Sequence, residues 1–436
     1  MRAAKRPQIA LDPDEIPTKW FNIAHHIDIP PPQEPDPAYI PQPDPLDGAK
    51  RMDLLPKILV GSCLEMEAST QEWIPIPGEV IDLFLRVARP RPLMRAIGLE
   101  NALNLPTNVK LFYKTEFFSP PGSHKLNTAL AQVFFAKNEG FSGVSTETGA
   151  GQWGSALAFA CSIVEMECNV FWVRSAYERF PERLKLMKLY GAKVEASPSK
   201  KTKIGRAQLE KDPHHPGSLG LAISEGLEIA MERGEEIRYS LGSVLNYVLI
   251  QQTIIGLEVQ KQLELAGEHP THMISCLGGG SNFGGFALPF VPEVLKKKSE
   301  IEFIAVNTKE VPNLTGDYRY DFADHGGLTP TLKMLTLGHE FSMPSLPAEG
   351  LLYHAAAPSI SVLVKKGVIT PAALDWSPTQ EMARLFIQKE GFIPAPESAY
   401  AIAQAIETAR AAKTASTDAT IVFNVSGHGL LGLDSF

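Results

Sequence analysis

From about residue 86 onward, short runs of β-branched or aromatic residues alternate with longer stretches that are apolar on one side. Such runs predict buried strands, and the amphipathic stretches between them predict helices. The predicted strands include residues 109–114, 143–146, 169–173, 272–277, 302–306 and 419–425, and the predicted helices include residues 127–137 and 155–165. This alternation is typical of an α/β fold with helices on both faces of parallel sheets, and a break near residues 239–243 indicates two sheets.

The first 50 or so residues follow a different pattern, because prolines recur through them, as in Pro30-Pro31-Pro32. Proline is excluded from the interiors of helices and sheets, so this segment is predicted to be an extended arm that wraps a surface. We therefore predict an N-terminal extension over residues 1–85, an N-terminal α/β domain over 86–245 and a C-terminal α/β domain over 246–436.

Composition excludes several functional classes. The chain has 41 basic and 49 acidic residues, a net charge of -8, and no basic segment that would favour nucleic acid. It has no run of about twenty apolar residues, and the basic start Met1–Arg6 leads into Pro7 rather than an apolar stretch, so we expect a cytoplasmic protein with no membrane partner. The four cysteines lack Cys-x-x-Cys spacing and are predicted to be buried free thiols. No histidine pair has metal-ligand spacing, so no metal site is predicted.

A glycine cluster, Gly278-Gly279-Gly280-Ser281-Asn282, follows one predicted strand and precedes an apparent helix. Glycines let the backbone approach a ligand and expose N–H groups to it, while Ser and Asn add side-chain donors. The cluster therefore predicts a cradle for a phosphate monoester. No Gly-Lys-Ser or Gly-Lys-Thr follows, which excludes a P-loop.

Two segments match the dinucleotide pattern G-x-G-x-x-G, at residues 149–154 and 427–432. The second is excluded because the chain ends at Phe436, before the acidic residue that would hold a ribose. After the first, the next strand ends in Val173-Arg174-Ser175, which offers no carboxylate. The segment could therefore suit a ribose 2′-phosphate at best, which leaves an NADP-dependent oxidoreductase as an alternative.

Lys125 lies at the start of a predicted helix, after the strand-breaking Pro120-Pro121-Gly122 and next to His124. A lysine in such a place can act as a nucleophile if its surroundings lower its pKa. Taken alone, this turn is more typical of a surface loop. Together with the phosphate cradle, it predicts a pyridoxal phosphate (PLP) site with a Schiff base on Lys125.

Five motifs in this order resemble the tryptophan synthase β chains: Gly-Ser-His-Lys-x-Asn at 122–127, Glu-Thr-Gly-Ala-Gly-Gln at 147–152, Gly-Gly-Gly-Ser-Asn at 278–282, Pro-Ala-x-Glu-Ser at 394–398 and Ser-Gly-x-Gly at 426–429. The sequence of residues 16–23 resembles that of the second, divergent class of this family. Trp153 also resembles that class, because the family commonly has His at this position. The resemblance implies a fold-type II PLP enzyme with two α/β domains, each with a mostly parallel sheet, and the cofactor between them.

The resemblance also implies roles for individual residues. Lys125 and Glu147 would be catalytic, Glu147 as the acid–base carboxylate, and Ser426 would be the hydroxyl partner of the pyridine nitrogen. The residues implied to bind the cofactor are His124, Lys125, Asn127, Gly278, Gly279, Gly280, Ser281, Asn282, Glu397 and Ser426. Those implied to receive the substrate carboxylate are Thr148, Gly149, Ala150, Gly151 and Gln152. The implied reaction condenses indole with L-serine to L-tryptophan and water. The family further implies a homodimer, at most weak association with an α subunit, and in some members a bound monovalent cation.

Two departures from the family pattern keep alternatives open. Leu352 stands where the main class has an Asp thought to hold the serine hydroxyl, and Arg91 stands where Thr is usual. A serine or threonine dehydratase, or a lyase that uses O-phosphoserine, is therefore an alternative on the same fold. A cofactor-binding protein without catalysis is disfavoured, because Lys125 and Glu147 are both retained.

Overall fold

The computed structural model describes residues 7–436. Its strands, in chain order, are β1 (Gln8–Ile9), β2 (Lys19–Phe21), β3 (Trp73–Pro75), β4 (Leu93–Arg95), β5 (Val109–Lys114), β6 (Gly143–Thr148), β7 (Glu167–Val173), β8 (Lys193–Ser197), β9 (Ile237–Tyr239), β10 (His272–Cys276), β11 (Glu302–Thr308), β12 (Asp317–Phe322), β13 (Thr331–Thr336), β14 (Ile369–Leu374) and β15 (Ala419–Asn424). Its α-helices are α1 (Leu55–Ile58), α2 (Gly61–Ala68), α3 (Gly78–Arg86), α4 (Ile97–Ala102), α5 (Leu126–Asn138), α6 (Gln152–Val164), α7 (Arg174–Arg179), α8 (Pro181–Leu189), α9 (Lys203–Lys211), α10 (Leu219–Glu232), α11 (Asn246–Gln252), α12 (Ile254–Ala266), α13 (Ser281–Ala287), α14 (Val291–Leu295), α15 (Pro358–Lys365), α16 (Trp376–Glu390) and α17 (Pro396–Ala415). Every predicted strand and both predicted helices are present, with ends that differ by a few residues at most.

The larger sheet has the strand order β1-β4-β5-β15-β10-β11-β14. In this sheet β5, β15, β10, β11 and β14 are parallel to one another. At one edge β4 pairs antiparallel with β5, and β1 pairs antiparallel with β4. The central strand β15 is buried along its whole length, which explains why its sequence is mostly apolar. Because β5, β15 and β10 are parallel neighbours, their carboxyl ends lie side by side at one edge of the sheet.

The smaller sheet has the order β8-β7-β6-β9, and all its strands are parallel. Its strand β6 is fully buried, with α6 and α10 packed against it. Two antiparallel pairs, β2 with β3 and β12 with β13, lie outside the two main sheets. The α/β architecture with two mostly parallel sheets is therefore confirmed.

The proline-rich arm contains no α-helix between residues 7 and 54, as its composition predicts. It is nevertheless anchored, because β1 joins the large sheet and Trp20 is fully buried, with its ring edge-on to the ring of Phe135 at a centroid distance of 6.4 Å. The large sheet takes strands from both sides of residue 245. Sheet membership alone does not define folding units, so the division at residues 85 and 245 stays a prediction.

Two other predictions concern the chain as a whole. All four cysteines are buried free thiols that form no disulfide, as predicted. Within residues 7–436, no helix combines the length and the apolar character that a membrane crossing needs. The basic start Met1–Arg6, on which the absence of a secretory signal was predicted, lies outside the described residues.

Candidate active site

Four segments of the chain meet around one cavity, because each follows a parallel strand whose carboxyl end opens on it. They follow β5, β6, β10 and β15. Carboxyl ends of parallel strands are where α/β proteins bind ligands. The cavity is lined by these predicted site residues: His124, Lys125, Glu147, Thr148, Gly149, Ala150, Gln152, Gly278, Gly279, Gly280, Ser281, Asn282, Glu397 and Ser426. Asn127 and Gly151 are not among the lining residues.

Lys125 immediately precedes α5 and extends its amine into this cavity. Its Nζ donates hydrogen bonds to the carbonyl oxygen of Gly242, at 2.6 Å, and to Oγ of Ser281, at 3.3 Å. Burial lowers the pKa of Lys125 to about 8, while the carboxylates of Glu147 and Glu397 oppose that shift. A substantial fraction of the amine is therefore neutral near physiological pH, as a nucleophilic or proton-accepting lysine requires.

The glycine cluster joins β10 to α13 in a loop that has no room for side chains. A Cβ at Gly279 would lie 2.4 Å from Oγ of Ser243, and one at Gly278 would lie 2.4 Å from the carbonyl oxygen of Gly350. Gly280 has a φ of +120°, which side-chain-bearing residues rarely adopt. Glycine is therefore required here both by close packing and by backbone conformation.

Several hydrogen-bond donors around this loop lack an acceptor. Among the described residues, the N–H groups of Gly279, Gly280 and Ser281 donate to no other group, and the buried Oγ of Ser243 has no partner. Nε2 of His124 lies 3.5 Å from Oγ of Ser281, and burial lowers the pKa of this imidazole to about 3, so it is neutral. Buried donors without acceptors are costly unless a ligand satisfies them. This donor set fits the phosphate group of PLP, with Lys125 beside it.

Ser426 lies just after β15, where it lines the cavity. Its Oγ is 2.9 Å from Oγ of Ser398 and 3.8 Å from Sγ of Cys276, and it is buried. The hydroxyl is neutral and can either donate or accept a hydrogen bond. It therefore suits the pyridine nitrogen, as the resemblance implies, without forcing that nitrogen to stay protonated.

Glu147, on β6, supplies the cavity with a buried carboxyl group. Its Oε2 accepts hydrogen bonds from the hydroxyl of Tyr239, at the end of β9, and from Oγ1 of Thr146, at 3.3 Å. Burial raises the pKa of Glu147 to about 7, and the hydrogen bond from Tyr239 partly opposes that rise. A carboxyl group with such a pKa can both donate and accept a proton near neutral pH.

The loop from Thr148 to Gln152 turns from β6 into α6, and its carbonyl groups are held from behind. Nε1 of Trp172 donates to the carbonyl oxygen of Gly149, at 2.7 Å, and Nη1 of Arg183 donates to that of Ala150, at 2.6 Å. Among the described groups, none accepts from the N–H of Ala150 or Gly151. These free N–H groups suit a carboxylate.

Gln152 and Glu397 form a bridge across the cavity. Nε2 of Gln152 donates to Oε2 of Glu397, at 2.9 Å, and Oε1 of the same carboxylate accepts from the N–H of Gly350, also at 2.9 Å. Both oxygens of Glu397 are thus engaged within the protein. We infer that Glu397 shapes the cavity wall and fixes the amide of Gln152.

The side chain of Asn127 does not line the cavity, and its role as a cofactor-binding residue stays a prediction. Its Oδ1 accepts from Arg89 and Arg91, and its Nδ2 donates to Glu116 and Gln252. These residues belong to a buried charge cluster behind α5. Gly151 is not a lining residue either, but its N–H donates to no described group. Its φ of +86° makes the turn into α6, and a Cβ there would lie 2.7 Å from the Trp172 ring.

The same charge cluster accounts for Arg91. Its Nη1 donates to Oε2 of Glu116, at 2.9 Å, and its backbone N–H donates to Glu258, at 3.1 Å. Arg89 also forms ion pairs with both carboxylates, and Lys114 forms one with Glu258. Arg91 is therefore a structural member of a buried ionic cluster that ties α5 and α12 to the large sheet.

Leu352 proves to lie off the cavity, where it packs against the apolar core of the large sheet. The acidic side chain on the cavity wall in this region is instead Glu349, three residues earlier. Burial raises the pKa of Glu349 to about 7, and Arg179 forms an ion pair with it at 3.8 Å. Although position 352 is apolar, the cavity wall therefore still carries a carboxyl group in this region, that of Glu349.

The cavity becomes apolar away from Lys125, and the N-terminal arm contributes to this end. The apolar lining comes from the N-terminal extension (the arm with α1 and α2), from α10, from the segment before α11 and from the β12–β13 pair: Pro32, Leu55, Ile58, Leu59, Leu64, Leu219, Ile223, Leu227, Leu241, Val244, Leu245 and Leu332. Sequence reasoning missed this wall, as well as Tyr239 and Ser243. The only signal was the Ser-containing stretch at 239–243, which marks the end of the small sheet.

Comparison with known proteins agrees with this geometry. Residues 85–427 match the family described as "Pyridoxal-phosphate dependent enzyme". The chain is 49% identical over 430 residues to "Tryptophan synthase beta chain 2" of Methanothermobacter thermautotrophicus, covering 98% of this chain and 97% of that protein. It is 47% identical over 433 residues to the protein of the same name from Thermotoga maritima, covering 98% and 99%.

Solved structures of other enzymes share the fold at low sequence identity. An O-acetyl serine sulfhydrylase isoform from Entamoeba histolytica matches 81% of this chain and 89% of its own, with a TM-score of 0.56 and 18% identity. A maize serine racemase matches 81% and 94%, with a TM-score of 0.56 and 17% identity. These likenesses establish the fold-type II architecture, whereas the relatives above, together with the site geometry, establish the family. The chain is a pyridoxal-phosphate-dependent enzyme that belongs to the tryptophan synthase β chains.

Proposed function

We propose that this protein replaces the β-hydroxyl group of L-serine with indole, giving L-tryptophan and water. The names of its close relatives support the reaction, since they are tryptophan synthase β chains. The observation that carries the proposal is a cavity in which a lysine with a lowered pKa and a carboxyl group with a pKa of about 7 line one chamber that has an apolar end. A planar, apolar nucleophile with one N–H group suits that chamber.

The cofactor would be held by residues already described. Lys125 would hold it covalently, the N–H groups of residues 278–282 with His124 and Ser243 would hold its phosphate, and Ser426 would meet its ring nitrogen. Bound PLP supplies an electron sink that stabilises negative charge at the substrate Cα. The free N–H groups of the 148–152 loop would orient the substrate carboxylate and thereby place Cα near the amine of Lys125.

Proton transfers would fall to Lys125 and Glu147. The amine of Lys125 would remove the Cα proton and later return it. Glu147 would donate a proton to the departing β-hydroxyl and then accept the N–H proton of indole, which requires a pKa near neutrality. Leu55, Ile58 and the other apolar residues would exclude water from the chamber, so that indole rather than water reaches the substrate Cβ.

The proposal is tested by product analysis on the purified holoenzyme. With L-serine and indole we expect tryptophan, and with L-serine alone we expect slow or no release of pyruvate. Pyruvate at equal rates with and without indole would instead indicate a dehydratase. Tryptophan formed from O-phosphoserine but not from L-serine would identify the phosphorylated donor and refute serine as the substrate.

The covalent role of Lys125 has its own test. Borohydride reduction of the holoenzyme should leave cofactor attached to the peptide that contains Lys125, as seen by mass spectrometry. Lys125→Ala should lose both this attachment and turnover, whereas the surface variant Lys185→Ala should keep both. Cofactor attached at another lysine would overturn the assignment.

The finer assignments rest on the resemblance to the second class of β chains. We propose a cytoplasmic homodimer that turns over without an α subunit and whose activity responds to monovalent cations. Light scattering of the purified protein, and turnover measured in sodium, potassium and tetramethylammonium buffers, test these points. A monomeric protein with full activity would refute the dimer, and equal turnover in the three buffers would refute the cation response.

A further inference from the structure

We propose that Arg183 is a positioning residue for substrate recognition: it sets the orientation of the 148–152 loop and supplies the buried positive charge that favours an α-carboxylate there. This inference rests on the proposed function and deepens it, because it names the group that distinguishes an amino acid from an uncharged amine. Neither the family resemblance nor the five motifs assign a role to Arg183.

Arg183 lies on α8 and is almost fully buried. Its Nη1 donates to the carbonyl oxygen of Ala150, at 2.6 Å, while its Nε has no partner among the described residues. No described carboxylate forms an ion pair with it. Glu397 and Glu349 act on it only from a distance, raising its pKa against the larger lowering effect of burial. The Phe180 ring, whose centroid is 5.3 Å from the guanidinium carbon, offsets part of the cost of burying this charge. A buried guanidinium without an ion-pair partner is still expensive, so a function that uses its charge is expected.

The hydrogen bond to Ala150 has a geometric consequence for the loop. In a trans peptide the C=O and N–H groups point in opposite directions. Because Arg183 holds the carbonyl oxygen of Ala150, the N–H of Gly151 points away from α8. Trp172 does the same for the preceding peptide, by holding the carbonyl oxygen of Gly149. The two side chains together turn consecutive N–H groups to the side opposite them, where they are free.

The charge of Arg183 also lies close to the polar end of the site. A small secondary cavity is lined by Arg183, Gln152, Ser155 and His428, and Gln152 lines the main cavity as well. Gln152 thus lies between the two cavities, and the charge of Arg183 interacts with Glu397 and Glu349, which both line the main one. In a cavity that excludes water, a charge at this range stabilises an anion more than it would in bulk solvent.

The test compares a charged with an uncharged ligand on charge-keeping and charge-removing variants. Holoenzymes carrying Arg183→Lys, Arg183→Gln or Arg183→Met are titrated with L-serine and with L-serinamide, and binding is read from the cofactor absorbance. Because every variant meets the same two ligands, the difference in their amine basicity cancels. Lys185→Met, an exposed change on the same helix, serves as the matched control.

We expect the wild-type preference for L-serine over L-serinamide to fall about tenfold or more in Arg183→Gln and Arg183→Met, and to be largely kept in Arg183→Lys. KM for indole should change little. A purely structural role would weaken both ligands alike and leave the preference unchanged, which would overturn the inference. If Arg183→Met fails to fold, equal preferences in the Gln and Lys variants overturn it equally.

The outcome is separable from that of the proposed function. A wild-type enzyme that binds L-serine but makes no tryptophan would refute the proposed reaction, while the ligand preferences would still decide the role of Arg183.

Discussion

The hydroxyl group of Tyr239 is expected to tune the acid–base carboxyl group, and Tyr239→Phe removes that hydroxyl alone. Tyr239 is buried, and its O–H donates to Oε2 of Glu147. A donor stabilises the ionised carboxylate and so lowers its pKa. Without this donor the ionised form of Glu147 is less stable relative to the neutral form, so the pKa of Glu147 rises above its present value of about 7.

The size of the shift follows from the strength of such a bond. A hydrogen bond to a charged group contributes about 1.5–3 kcal/mol, and one pKa unit corresponds to about 1.4 kcal/mol. The pKa of Glu147 should therefore rise by about 1 to 2 units. At pH 7 the ionised fraction would drop from about half to about one-tenth or less.

The assay is the pH dependence of kcat/KM for indole at saturating L-serine, followed by tryptophan formation. In this step Glu147 must be ionised to accept the indole proton, so activity is lost as the pH falls through its pKa. The acid limb of the profile should thus move upward in Tyr239→Phe, and activity should recover at high pH. Tyr353→Phe is the matched control, because Tyr353 lines the same cavity but its hydroxyl donates to the carbonyl oxygen of Ala323. An acid limb in Tyr239→Phe that coincides with that of the wild type would refute the reasoning.

Two further predictions concern the cavity wall and the buried charge cluster. Leu55→Ala removes part of the wall that the N-terminal extension contributes, so the specificity constant for 6-methylindole relative to that for indole should rise by about tenfold. Leu54 does not line the cavity, so Leu54→Ala should leave this ratio unchanged. An unchanged ratio in both variants would show that the extension does not limit substrate size. Arg89→Met should lower the free energy of unfolding by about 3–5 kcal/mol, because it leaves two buried carboxylates short of a partner. Arg91→Met should cost less, since Arg91 has an ion pair only with Glu116 and leaves its own Nε and Nη2 unbonded; urea denaturation measures both, and the reverse order would contradict this account.

Local sequence signals were sufficient for the strands, and they also predicted the phosphate loop and, together with that loop, Lys125. Apolar runs mark buried parallel strands wherever they lie in the fold, and three consecutive glycines have few explanations other than a close backbone approach. Asn127 belongs to the same motif as Lys125 but does not line the cavity. Two residues along a helix correspond to a rotation of about 200°, so a side chain two positions after Lys125 faces away from the cavity that Lys125 enters.

The sequence by itself therefore determined the fold class and the family, because apolar runs and ordered motifs are readable along the chain. It predicted the cofactor site from two separate segments, and Glu147 entered only through the family resemblance. Only the tertiary structure decided that Tyr239 hydrogen-bonds to Glu147, that the N-terminal extension lines the apolar end of the cavity, and that Leu352 lies off the cavity. These contacts join segments that are distant in sequence, and no local pattern predicts which distant side chain will pack against a given residue. The surroundings that set the pKa values and the width of the cavity are products of packing, and they were visible only once the chain was folded.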